Sequence, residues 1–171
     1  MRIKTILIKG LLSLLFTLAS CGYQFEGGGY LNETVKRVAV ELFSNRSGEE
    51  EADVMFTNAL IQEIIDRSDT MVSDSDDSVH VLQSEIKSIV FDTLSRSSTE
   101  TVVERRVTAV IDVKLIGPDG KVVWSVKDFS TDDDYTVSED QISDSENKQE
   151  AVERIAERIA EKLVSRMVTN F

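Results

Sequence analysis

The residue best placed to do chemistry is Cys21, the only cysteine in a chain of 171 residues. It follows Leu18-Ala19-Ser20, an apolar run from Leu11 to Leu18, and three basic residues, Arg2, Lys4 and Lys9. This is the pattern of a bacterial secretory signal that ends in a lipobox. The apolar run is too short for a transmembrane helix, which needs about twenty such residues. A thiol at the first mature position takes a diacylglyceryl group through a thioether, and cleavage then frees an amine that takes a third acyl chain, such as palmitate. One chain binds a membrane only marginally, at roughly 0.8 kcal/mol per buried methylene, whereas two or more hold it stably. Residues 1–20 therefore read as a signal peptide, Cys21 as the lipid anchor and residues 21–34 as an acylated, flexible leader. The next residue is Gly22, where aspartate commonly means retention in the inner membrane, so by analogy with lipoprotein sorting the expected destination is the outer membrane.

Other chemistries find less support. The single histidine, His80, has no second histidine or cysteine with which to form a metal site. Asp69, Asp74, Asp76 and Asp77 alternate as calcium ligands do, but the glycine turn and terminal glutamate of that motif are missing. Gly27-Gly28-Gly29 is not followed by the Lys-Ser/Thr of a phosphate loop. Serines and aspartates are plentiful without a nucleophile motif. No metal, cofactor or catalytic residue is predicted, and the covalent lipid on Cys21 is the only group expected. Losing the signal leaves 16 basic residues against 31 acidic ones, a formal charge of -15. So acidic a surface argues against binding nucleic acid or bare anionic lipid. Positive charge gathers in one place, where Arg96, Arg105 and Arg106 flank the polar tip Ser95–Glu100. These arginines suit bidentate contacts to phosphate, and they equally suit ion pairs with Glu100 and Glu104 across a hairpin.

The elements that must position them follow from periodicity. Val35 to Phe43 alternates as a half-buried strand, with Val38, Val40 and Leu42 on one side. Ser47 with Glu50 forms a capping box for a helix from about Glu49 to Arg67, whose apolar side centres on Phe56, Leu60, Ile61 and Ile64. A polar loop spans 68–78. Val79 to Leu94 aligns Leu82, Ile86 and Val90, and Thr101 to Ile116 aligns Val103, Val107, Ala109, Ile111, Val113 and Leu115. Gly117-Pro118-Asp119-Gly120 makes a hairpin turn into a fourth strand carrying Val122, Trp124 and Val126, with Trp124 as a core anchor. The acidic stretch Thr131 to Asn147 reads as a solvated loop. A last helix starts near Asn147, capped with Glu150, and stripes Val152, Ile155, Ile159, Leu163 and Met167 along one face. The order β-α-β-β-β-α predicts one α+β domain over residues 35–171: a four-stranded, mostly antiparallel sheet with two helices packed on one face.

The run Cys21-Gly22-Tyr23-Gln24-Phe25 ahead of this element order resembles the LPS-assembly lipoprotein (LptE-like) family. The likeness extends through Val38-Ala39-Val40 leading to Phe43-Ser44-Asn45, the Trp124 strand, and Asn147 leading into a helix that closes on Leu163-Val164. It implies an outer-membrane lipoprotein that plugs a large β-barrel translocon, LptD, helps that barrel assemble and contacts lipopolysaccharide on its way to the cell surface. It also implies lipopolysaccharide contact by basic residues near the hairpin between the second and third strands, where Arg96 matches in position. Ser145-Glu146-Asn147-Lys148, before the last helix, offers little positive charge and departs from that pattern. Two alternatives stay open at this point: a lipoprotein that pilots or activates another envelope complex, and an enzyme.

Overall fold

A computed structural model describes residues 29–74, 80–96 and 101–169. The signal peptide, Cys21 and most of the expected leader, Asp76 and Asp77 of the acidic loop, and Glu100 of the hairpin tip lie outside them. The described chain runs β1 (Arg37–Val40), β2 (Ser44–Asn45), α1 (Ala52–Arg67), β3 (Met71–Val72), β4 (Val81–Arg96), β5 (Val102–Ile116), β6 (Val122–Thr136) and α2 (Gln141–Thr169). The class is α+β, but the sheet is six-stranded and mixed, not four-stranded and mostly antiparallel. Its order is β3-β1-β4-β5-β6, with β2 also on β4; β1, β2 and β3 pair in parallel while β4, β5 and β6 form antiparallel ladders. The short strands escape a periodicity reading because two residues cannot show a period.

Both helices cover one face. Ala52, Phe56, Leu60 and Ile64 of α1 meet Val152, Ile155, Ile159, Leu163 and Met167 of α2 above Leu82, Ile86, Val107, Ala109, Ile111, Val113 and Leu115. The α2 stripe holds throughout, the α1 stripe holds at Phe56, Leu60 and Ile64 while Ile61 is only partly buried, and the β5 alternation holds from Val107 to Leu115, with Val103 outside the core at 36% exposed. Small residues Ala151, Ala156 and Ala160 let the two helices lie close together. The link into α1 is fastened by Thr57, whose hydroxyl accepts from the Phe43 N–H at 3.0 Å and donates to the Asp53 carbonyl at 2.6 Å.

Several expected details differ. The first strand stops at Val40, so Leu42 is 59% exposed while Phe43 turns inward. In β4 a register shift between Ile86 and Ser88 puts Ile89 into the core and leaves Val90 47% exposed. No capping box forms at α1. Asn45 instead accepts from the Ser47 N–H and hydroxyl, and Glu51 precedes the helix at positive φ without a side-chain cap. Trp124 is only partly buried. The turn at 117–120 forms as read, with Gly120 at φ 74°, a conformation that glycine adopts at no steric cost.

The largest difference is after Phe129. The acidic stretch is not a loop: β6 continues to Thr136 and α2 begins at Gln141, capped by Asp140, whose carboxylate accepts from the Ser143 N–H at 2.9 Å and its hydroxyl at 2.8 Å. Asn147 lies within α2 and donates to the Thr136 carbonyl at 2.9 Å.

The folded body also reaches back before Val35. Leu31 is fully buried and its N–H donates to Thr70 Oγ1 at 2.9 Å, while Gly29 accepts from the Asp69 N–H and lies so close to Val168 that an added Cβ would sit 3.4 Å from it. Leu31→Ala should therefore destabilise the body by about 2–5 kcal/mol, as other emptied core sites do, while Leu42→Ala should change it by less than about 0.5 kcal/mol. Denaturant unfolding of the two variants checks the contrast.

Candidate binding surface of the long strands

Strands β4, β5 and β6 are 16, 15 and 15 residues long, about 50 Å at the usual rise. Gly29 meets Asp69 and Val168 at their lower end, and β4 ends at Arg96 and β5 begins at Val102 at the other. The candidate arginines lie toward that end. Arg96 is exposed and sits opposite Val102; Arg105 lies opposite Thr93 and Tyr135, on the helix-covered side; Arg106 projects from the open face, opposite Asp92 and Asp134. The three therefore do not form one cluster, because neighbours on a strand point to opposite faces.

Arg106 makes its described salt bridges to Asp134 and Asp132. Its Nε is 2.7 Å and its terminal nitrogen 2.9 Å from the two carboxylate oxygens of Asp134, and Nε is also 3.5 Å from Asp132. Hydrogen bonding to Arg106 holds the Asp134 carboxyl below the usual range and raises the arginine's own pKa. On the other face Asp133 is gripped by α2: Arg154 Nε lies at 2.6 Å and an Arg158 terminal nitrogen at 3.1 Å. Burial pushes the Asp133 carboxyl up, but hydrogen bonds and charge from Arg154 and Arg158 outweigh it and leave the group below its ordinary value. Three aspartates in a row thus alternate between a cross-strand arginine and a pair of helix arginines. Sequence reading missed these partners. The available signal was Phe129, Thr131, Asp133 and Tyr135 in alternation together with Arg154 and Arg158 one turn apart.

The rest of the open face is polar and linked across strands. Lys87 pairs with Asp128, whose N–H donates to Asp112 at 2.7 Å, and Arg46 pairs with Glu85 at 3.1 Å. Exposed apolar side chains are scattered: Leu94, Val103 and, at 70%, Ile142 lie toward the upper end, while Met71, Val122 and Val123 lie toward the lower one. Lys148 lies over the Phe91 ring at 4.5 Å and bridges to Glu49 at 2.7 Å, tying α2 to the start of α1. His80 is buried, and its main-chain carbonyl accepts from the Ala39 N–H. Among the described residues no three potential ligands gather to hold a metal ion, and no helix is long and apolar enough to cross a membrane.

Comparison with known proteins adds the decisive observation. The LptE family model, described as lipopolysaccharide-assembly, matches residues 35–167, most of the chain. The chain belongs to the LptE family. At the level of that family its work is lipopolysaccharide assembly. Solved structures similar to this LptE-family chain include rare lipoprotein B from Shewanella oneidensis, 18% identical over 78% of this chain and 95% of that one, with a TM-score of 0.53. An uncharacterized lipoprotein B from Nitrosomonas europaea is 13% identical over 87% and 92%, TM-score 0.58. A putative lipoprotein from Caulobacter crescentus is 12% identical over 81% and 93%, TM-score 0.59. At these identities the likeness carries the fold. No curated protein matches the chain.

The depressed Asp133 carboxyl gives this LptE-family fold an acid limb. Stability contributed by the group is fully present above the unfolded aspartate value of about 3.9 and is lost as pH falls toward the lower folded value. Asp133→Asn should cost about 1–3 kcal/mol at neutral pH, since it removes one side of a part-buried charge pair, and should flatten the loss of stability below about pH 4. Urea unfolding at pH 7 and at pH 3.5 checks both.

Proposed function

We propose that this LptE-family chain is an outer-membrane lipoprotein, tethered through Cys21, that occupies the lumen of a large LptD-like β-barrel and assists that barrel in assembly and in lipopolysaccharide delivery. The observation that carries the reading is the open face of the sheet. It is a rigid polar wall about 50 Å long, with charges already paired across its strands by Arg106–Asp134, Lys87–Asp128 and Arg46–Glu85. Such a wall suits the polar, water-filled interior of an outer-membrane barrel. Much of its charge can meet that interior already paired.

The polarity of the body supports the same arrangement. A tether of seven residues, 22–28, would join Cys21 to Gly29 at the lower end, leaving the hairpin tip free to reach away from the membrane leaflet that holds the lipid. Lipopolysaccharide contact, on this reading, falls first to Arg96, the position that matches the family resemblance, and to Arg105 beside it; Arg106 holds Asp134 and Asp132. Phosphate at Arg106 would have to displace two carboxylates.

Two measurements test the proposal. Mass spectrometry of the protein from its native outer membrane should find Cys21 carrying the diacylglyceryl and N-acyl groups, and the detergent extract should retain a large barrel; a bare thiol and no barrel would remove the proposal. For lipopolysaccharide, Arg96→Ala with Arg105→Ala should weaken binding while Arg106→Ala alone leaves it unchanged. Equal affinity in every folded variant would exclude a role for the hairpin arginines.

A further inference from the structure

The two long edges of the sheet are finished differently. The upper part of the β6 edge is sealed by α2: the carbonyls of Thr136, Asp134 and Asp132 receive side-chain donors from Asn147 at 2.9 Å, Arg154 at 3.5 Å and Arg158 at 2.6 Å. On the opposite side, among the described residues, β4 is covered only over its first half. There β1 and β2 pair with Val81, Leu82, Glu85 and Ile86, and the Arg46 N–H donates to the Ile86 carbonyl at 2.9 Å. Beyond Ile86 no described strand pairs with that edge.

The register shift at Lys87 decides what this open edge presents. Before it, the carbonyls of His80, Leu82 and Ile86 point outward and are used. After it, Ser88, Val90 and Asp92 lie opposite Val110, Thr108 and Arg106. Antiparallel ladders alternate inward and outward pairs, so the main-chain N–H and C=O groups of Ile89, Phe91 and Thr93 face outward. Val90 and Leu94 are 47% and 44% exposed beside them. An unpaired row of this kind is a template for another strand unless a protein covers it.

The occupant is constrained by geometry. Ser44 and Asn45 of β2 stop the open edge at its lower end, so an incoming segment must approach from the hairpin end and finish near Lys87. That allows a run of about ten residues, or roughly 33 Å. A second copy fits badly. Pairing β4 with β4 would bring two strongly acidic bodies side by side.

We infer that the β4 edge from Lys87 to Arg96 receives an extended segment of the surrounding barrel protein, which joins the sheet as one more strand through main-chain hydrogen bonds. The segment carries apolar residues at alternate positions, packing on Val90 on the open face and beside Phe91 on the other. This inference rests on the plug reading above. It adds a specific site of attachment to what is otherwise a wet, polar fit.

The test is single-amide hydrogen exchange on the acylated full chain, alone and in complex with the barrel that co-purifies with it. The amides of Ile89, Phe91 and Thr93 should slow by at least about tenfold in the complex, while those of Asp132 and Asp134 on the sealed edge stay as they were. Thr93→Pro, which removes one outward N–H and spares the ladder to β5, should lower the yield of complex without unfolding the free protein. Unchanged exchange at the three amides in an intact complex would overturn the strand addition and leave the plug reading standing. Failure to retain any barrel would overturn both.

Discussion

Everything at the far end of this molecule depends on how Asp132, Asp133 and Asp134 are held. Three adjacent carboxylates in an edge strand repel one another, and partial burial of one of them without a partner would cost several kcal/mol. They are tolerated because strand geometry sends the middle one to the helix face and the outer two to the open face. Arg154 and Arg158 receive the first, and Arg106 receives the others. The same helix arginines then reach the strand's outward carbonyls. One set of contacts therefore extends β6, seats the upper half of α2 and closes the upper part of an edge that would otherwise invite pairing.

How much of this could be read from the sequence varied with the length of each element. The long stripes of α1, α2 and β5 were legible because burial on one face imposes a period over many residues. Val152, Ile155, Ile159, Leu163 and Met167 are all buried as that period requires. Short or tertiary-held pieces were not legible. Strands β2 and β3 have two residues each, and only their neighbours make them strands. The acidic run was misread for a related reason: composition says that aspartates prefer water, but the partners that hold them here lie about twenty residues away in α2 and across the sheet. Likewise the β4 alternation was right up to Ile86 and wrong beyond it, since a one-residue bulge reverses every later side chain.

For the candidate surface, the sequence located the arginines but not their orientation. Arg105 and Arg106 are neighbours in the chain and therefore opposites in the sheet, so a patch imagined as three adjacent cations is divided between two faces, one of them already neutralised. The distribution of polarity is what the fold adds to function. A core one sheet thick is covered by helices on one side and left as a charge-paired wall on the other, with Gly29 at one end and the Arg96 end of β4 at the opposite one. No described part of this arrangement gathers groups to ligate a metal. What the arrangement offers is surface, length and direction.

Those three properties make a concrete spatial claim about an LptE-family body inside a barrel. Electron cryomicroscopy of the complex purified from its own outer membrane tests it most directly. The account predicts density for the body within the barrel lumen, with Gly29 at the periplasmic mouth, the 96–102 tip pointing toward the cell surface and the open sheet face against the barrel wall. A body bound outside the barrel, or seated with its helices against the wall and the tip toward the periplasm, would contradict it.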